Sequence, residues 1–170
     1  MAMTMLYGFE PIADENSRVL ILGSMPSEAS LVKGEYYGHP RNAFWPLISA
    51  ILGESYMSSY EARKAMLLRH GVALWDVVAA CRREGSSDAA IRAVTVNDFP
   101  AFYLAHQQVR HVYFNGGKAF ELYKKHIGFS QPDLSYDRLG STSPAHAVGF
   151  EQRMEDWKRL TVSLREGTRT

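Results

Sequence analysis

"RVLILGSMPSEAS", residues 18–30, is the stretch on which the fold turns. Residues 19–22 are all apolar, and the chain then changes character to glycine, serine and proline. A strand with one wet face alternates apolar and polar residues, so an unbroken apolar run fits a strand covered on both faces. "VALWDV" (72–77) and "HVYFN" (111–115) have the same character, and "LSYDRL" (134–139) reads as a fourth strand. Helical patterns separate them. Residues 46–52 form one, and Ser58 with Glu61 gives capping-box spacing ahead of a helix over 60–70, with Ala62, Met66 and Leu67 apolar. Asp98 is an N-cap for a helix running to about residue 108, with Pro100 tolerated in its first turn. A further helix covers 117–126, and Phe150, Met154, Trp157, Thr161 and Leu164 fall on one stripe of a C-terminal helix. Strands alternating with helices imply the α/β class: a three-layer α/β/α sandwich around a central, mostly parallel four-stranded sheet. No repeat, low-complexity tract or dividing linker interrupts the pattern, so residues 1–170 read as a single domain.

Composition narrows the function classes. At 170 residues, 46% hydrophobic and 22% charged, the chain has the make-up of a globular domain with a real core. Its net charge of +1 means that a nucleic-acid partner would meet a local basic patch, not a basic whole. A single cysteine, Cys81, excludes an internal disulfide and a Cys-based zinc cluster, and suits a reducing cytoplasm. "MAMTMLYGFEPI" (1–12) has no basic n-region and no long apolar run, so it does not read as a signal peptide. No stretch approaches the roughly 18 apolar residues of a spanning helix. The expectation is a cytoplasmic protein with no membrane partner. His39, His70, His106, His111, His126 and His146 show neither HExxH nor paired i, i+4 spacing, so no metal is expected. His70 and His126, at helix ends, read as dipole-compensating or solvated.

Parallel sheets carry their sites beyond the carboxyl ends of their strands. Four segments lie there: "GSMPSEAS" (23–30), "DVVAACRREGSS" (76–87), "NGGKAF" (115–120) and "GSTSPAH" (140–146), each rich in small or polar residues. Gly23, Ser24 and Met25 open the first; a tight turn and a close approach to a ligand both explain the glycine. Asn115 opens the third, and Lys118 sits at a helix N-terminus, where backbone amides favour phosphate. The spacing is not that of a P-loop. Ser141, Thr142, Ser143 and Pro144 suit a nucleic-acid backbone, with His146 following. A serine hydrolase is disfavoured because no GxSxG elbow surrounds Ser143. "CRREGSSD" (81–88) reads as a salt-bridged loop in which Asp88 caps a short helix. Asp76 stands where an apolar strand stops; it serves equally as an N-cap or as an acceptor for the imino N–H of a base.

The last segment to weigh is "GEYYGHPRNAFWPLI" (34–48), which crowds Tyr36, Tyr37, His39, Arg41, Asn42, Phe44 and Trp45 around two prolines. Large aromatics mixed with hydrogen-bonding groups, in a loop and a helix start, describe a pocket better than a core.

Taken together these motifs resemble the uracil-DNA glycosylase superfamily. "LGSMPS" (22–27) is similar to its first motif, "STSPAH" (141–146) to its late DNA-pinching loop, and "GHPRNAFW" (38–45) to a segment of the mismatch-specific and hypoxanthine branches. "YYGHPRNAFW" with "REGSSDAAI" (83–91) is most similar to the hypoxanthine (deoxyinosine) branch. The resemblance implies a monofunctional glycosylase that flips a deaminated base out of DNA and hydrolyses its N-glycosidic bond, without a cofactor. It implies that hypoxanthine is removed, with uracil and xanthine also open. Many members have a catalytic Asp or Asn where this chain has Met25, and Ser141 replaces a histidine of the uracil enzymes. In the hypoxanthine branch the catalytic role passes to Asn42. Tyr37 and Phe44 are then the stacking faces for the base, Asp76 accepts its N–H, and Gly23, Ser24, Met25 and Asn115 complete the substrate pocket. Lys118, Ser141, Thr142, Ser143, Pro144 and His146 hold DNA, and residues 145–148 fill the gap the base leaves. Trp45 anchors its helix in the core. No lysine is placed as a Schiff-base nucleophile, so no strand-cleaving step is expected. Two alternatives stay open: an enzyme directed mainly at uracil, and a non-catalytic nucleic-acid-binding domain, which Met25 keeps in play. The protein is expected to act as a monomer.

Overall fold

The computed structural model describes residues 4–166. In chain order the first elements are β1 (Met5–Tyr7), β2 (Val19–Gly23), α1 (Glu28–Lys33), α2 (Phe44–Ile51) and α3 (Tyr60–Arg69). Next come β3 (Val72–Asp76), β4 (Val78–Arg82), β5 (Arg92–Val96), α4 (Phe99–Ala105) and β6 (His111–Asn115). The chain closes with α5 (Gly117–His126), β7 (Ser135–Leu139), α6 (Phe150–Trp157) and α7 (Arg159–Glu166).

Four of the strands form one parallel sheet in the order β3-β2-β6-β7. Every residue of β2 and β3 is buried, as their unbroken apolar runs require of inner strands. The right-handed crossover rule puts the β2-to-β3 helices and the later helices α4 and α5 on opposite faces, because the chain steps in opposite directions from β2. Contacts agree: Phe44 of α2 meets Trp157 of α6, while Phe99 of α4 meets Tyr123 of α5. The central sheet is therefore parallel, four-stranded and helix-covered, as expected. Among the described residues, no helix is long and apolar enough to cross a membrane.

A second sheet, antiparallel and ordered β1-β4-β5, was not legible. Residues 78–82, expected in a loop, leave the end of β3 and enter it at once. Its edge strand β5 is mostly exposed, which suits the polar composition of "RAVTV". The helix α1, also unforeseen, is capped by Ser27, whose hydroxyl accepts the Ser30 amide.

Local signals held in part. Asp98 caps α4 through the Ala101 amide at 3.0 Å, with Pro100 in the first turn, but the helix ends at Ala105. The α3 cap is Ser59 rather than Ser58, and accepts the Ala62 amide at 3.3 Å. Glu61 pairs instead with Lys64. His70 bonds Glu54 Oε2 at 2.7 Å, beside Arg69. The single C-terminal helix is broken at Lys158 into α6 and α7, and Phe150 at the start of its stripe is 46% exposed.

Candidate active site

Parallel register assembles the floor of the site. Gly23 pairs with Asp76 across β2 and β3, and Leu22 with Phe114 across β2 and β6, so Gly23, Asp76 and Asn115 end neighbouring strands. Glycine is required in the middle: a Cβ there would lie 2.5 Å from Asp76 Oδ1 and 2.9 Å from the Tyr37 hydroxyl. The carbonyls of Gly23 and Ser24 accept the amides of Val77 and Val78, which orders the turn after β2. Asp76 is not an N-cap, because the chain continues into a strand. Its side chain is buried, and Oδ2 has no hydrogen-bond partner. Burial first, and then the nearby Asp88 carboxylate, push its pKa up from 3.8 to about 7, with Arg83 pulling back.

The 34–48 segment forms the next wall. Its two tyrosines divide the work. Tyr36 is buried, its hydroxyl donating to Glu10 O at 2.7 Å and its carbonyl accepting Trp45 Nε1 at 2.7 Å. Trp45, 2% exposed, is the core anchor expected. Tyr37 adopts φ +53°, a conformation that costs a non-glycine residue energy, and its ring packs on the core while lining the cleft. Phe44 does not reach the cleft. It is fully buried beneath Tyr37, ring centroids 4.3 Å apart and planes 26° from parallel, so it backs an aromatic ring that lines the cleft. Burial and the Asp76 carboxylate keep the Tyr37 hydroxyl protonated. Asn42 Oδ1 accepts the Phe44 amide at 2.9 Å, which fixes the side chain at the start of α2. A carbonyl oxygen has two lone pairs, so one remains for a further donor.

The 140–146 loop closes the opposite side. Asn115 holds it with two bonds of 3.0 Å, Oδ1 accepting the Thr142 amide and Nδ2 donating to Thr142 Oγ1. The Thr142 carbonyl accepts the Ala43 amide at 3.0 Å, tying the loop to the residue after Asn42. Thr142 is thus an inward clamp, 1% exposed, rather than a surface hydroxyl. Ser141 and Ser143 accept amides of their own loop, which leaves each O–H free to donate. Pro144 and His146 are exposed. Lys118 and His146 lie outside the cleft lining, Lys118 in the first turn of α5, whose cap Gly116 abuts Ser141.

The result is a cleft of about 650 Å³ that brings together Gly23, Ser24, Met25, Tyr37, Asn42, Asp76, Asn115 and residues 141–144. Residues 81–88, which the sequence presents beyond β3 but as a salt-bridged structural loop, instead bring 86–89 into the cleft lining. Ser24 Oγ donates to Asp88 Oδ1 at 2.6 Å, and Ser86 Oγ accepts the Glu28 amide at 2.9 Å. Ser87, not Asp88, caps the short turn there. Arg83 turns to carbonyls rather than to an acid, donating to Pro26 O and Gly85 O at 2.7 Å each. The run "GSSD" was the available signal, since four small or polar residues after buried "VVAAC" mark a loop returning to the sheet edge.

Comparison with known proteins agrees with this geometry. Residues 10–162 match the model of the Uracil DNA glycosylase superfamily. A protein of Methanosarcina barkeri named Hypoxanthine DNA glycosylase is 37% identical over 153 residues, 88% of this chain and 94% of that protein. One of the same name from Methanosarcina acetivorans is 42% identical over 156 residues, 90% of this chain and 96% of that protein. The solution NMR structure of a candidate uracil DNA glycosylase from Methanosarcina acetivorans superposes with a TM-score of 0.80 at 34% identity, covering 95% of this chain and 99% of that one.

Proposed function

The chain belongs to the uracil DNA glycosylase superfamily, and on that footing we propose that it is a monofunctional DNA glycosylase that removes hypoxanthine from deaminated DNA. One observation supports the reading above the others: an aromatic face, a buried carboxylate without a partner and an amide side chain share one cleft beyond the sheet. A base reached in duplex DNA must be flipped out at a cost of a few kcal/mol, and stacking returns roughly 1–3 kcal/mol. Tyr37, backed by Phe44, supplies that stacking face. Asp76 accepts the N1–H of hypoxanthine in a charge-assisted bond.

Cleavage passes through an oxocarbenium-like sugar while negative charge grows on the departing purine. Asn42 lacks the basicity to deprotonate water, so its role is to hold one near C1′ by the free lone pair of Oδ1. Met25 has no donor or acceptor of use there, which leaves that task to Asn42. The amides of the Gly23–Ser24 turn stabilise charge on the leaving base. Ser141, Ser143 and Lys118 meet flanking phosphates, and Pro144 to His146 form the exposed edge toward the duplex. The protein works as one cytoplasmic domain and as a monomer.

The test is product release from duplexes carrying a single inosine, uracil or xanthine. Free hypoxanthine and an intact abasic strand are expected. Asn42→Ala should slow hypoxanthine release by about 100-fold with little change in duplex binding, as misplaced water costs catalysis on that order. Near wild-type rates in that variant would remove Asn42 from the mechanism. Uracil released faster than hypoxanthine would make uracil the principal substrate, and no release of any base would leave a binding domain.

A further inference from the structure

We propose that the turn at residues 39–42 grips one phosphate of the flipped nucleotide, through the Nε2–H of His39 and the guanidinium of Arg41. The inference rests on the reading of the cleft as a site for a flipped nucleotide. A nucleotide turned out of the duplex brings its sugar and both flanking phosphates to the rim of the pocket that takes its base. On one wall of the cleft Ser141 and Ser143 are there to meet one of them. The other passes the 34–48 segment on the facing wall, where two donors point to no acceptor in the protein.

His39 is the one histidine among the described residues that lines the cleft. Its ring is fixed within the turn, because Nδ1 accepts the Arg41 backbone amide at 3.1 Å. A backbone amide only donates, so Nδ1 is the bare nitrogen and the hydrogen of the neutral ring sits on Nε2. That N–H has no acceptor among the described residues. Arg41 is exposed and lines the same cleft, and its guanidinium has no acid partner among them either. A phosphate oxygen only accepts, and both groups only donate.

The turn holds this arrangement in place. Pro40 takes its second position, where a fixed φ suits a tight turn, and the Asn42 amide closes it on the His39 carbonyl at 3.0 Å. The first and fourth residues of such a turn lie within about 7 Å, so His39 stands beside Asn42 at the sugar end of the site. The peptide before His39 is clamped on both sides. The Gly38 amide donates to Ser30 Oγ at 2.8 Å, and Lys33 Nζ donates to the Gly38 carbonyl at 2.6 Å. The acids that line the cleft stand on other walls: Asp76 ends β3, and Asp88 Oδ1 accepts Ser24 Oγ at 2.6 Å. One short segment thus presents Tyr37 to the base, Asn42 to the sugar, and His39 with Arg41 to the phosphate.

The experiment is equilibrium binding of the full chain to duplexes with one 2′-fluoro-deoxyinosine, whose glycosidic bond resists cleavage. The phosphate on each side of the lesion is replaced in turn by an uncharged methylphosphonate. His39→Asn keeps an oxygen where Nδ1 bonds the Arg41 amide, but is too short to replace the Nε2–H. It should bind the unmodified duplex about 10-fold more weakly than wild type. It should then lose almost nothing further to the methylphosphonate on one side, while the loss from the other side is that of wild type. His39→Gln, whose amide N–H reaches the place of Nε2, should keep most of the wild-type affinity. Arg41→Ala should couple to the same side, and it decides the matter if the His39 variants fail to fold. Wild-type affinity in His39→Asn overturns the proposal. So do losses from variant and methylphosphonate that simply multiply at both sides, or an Asn variant that binds better than the Gln variant. An undamaged duplex, and base release from an ordinary inosine duplex, are measured in parallel. Preference for inosine with no coupling at either side ends this inference and leaves the glycosylase reading standing; coupling without base release does the opposite.

Discussion

Asp76 shows what one residue contributes and costs. The unfolded chain holds its carboxyl near 3.8, whereas burial lifts it to about 7 in the folded protein. Between those values the folded state binds more protons than the unfolded one, so stability falls as pH rises. The contribution is fully present below about pH 4 and lost as pH passes through about 7. A shift of this size corresponds to on the order of 4 kcal/mol. Asp76→Asn carries no such titration. It should be more resistant to urea than wild type at about pH 8 and should lose most of that advantage by about pH 4, while base selection suffers. Equal urea midpoints for the two proteins at every pH would show that burial does not strain this carboxyl. Tyr37 carries a second local cost in its positive φ. Both costs fall on residues that meet beside Gly23, where Asp76 Oδ1 and the Tyr37 hydroxyl approach its backbone.

Among the elements, α6 does the least expected work. Arg153, Asp156 and Trp157 lie three and four residues apart, hence on one helical face. Arg153 donates to the carbonyls of Ser141, Ser143 and His146. Asp156 accepts the Gly140 amide at 2.6 Å, and Trp157 donates to the Gly140 carbonyl at 2.8 Å. One helix face thereby orders the backbone of the loop that reaches Ala43, next to Asn42. Arg153→Ala is expected to cost about 1–2 kcal/mol in urea unfolding and to weaken inosine-duplex binding more than free-base binding. Parallel losses in both would mean that the helix supports the whole fold and not the loop. A pattern of apolar spacing finds α6 and Trp157 but says nothing of Arg153 and Asp156, whose polar contacts order the loop. The same blindness hid β4. "VVAAC" is apolar enough to prolong β3, and one of its two pairing partners, β1, lies more than seventy residues earlier.

For the molecule as a whole, a net charge of +1 leaves DNA affinity to a few placed cations. Arg41 lines the cleft, and Lys118 opens α5 beside Ser141. If these two meet phosphates, log affinity should fall with log salt at a slope of about −1.8. A slope near zero, measured on an inosine duplex, would remove phosphate contact from the account. The sequence by itself determined the parallel sheet, because inner strands demand unbroken apolar runs. It also placed small and polar residues at the carboxyl ends of those strands and an aromatic segment after the first, enough to mark where the cleft opens. Only the tertiary structure decided which side chains face it. It put Phe44 behind Tyr37, turned Thr142 inward onto Asn115, and walled the cleft with residues 86–89. The deciding contacts join residues far apart in the chain: 27 positions for Asn115 and Thr142, 57 for Pro26 and Arg83, 64 for Ser24 and Asp88. Periodicity and capping report on neighbours within a turn or two, so contacts at such range have no local signature.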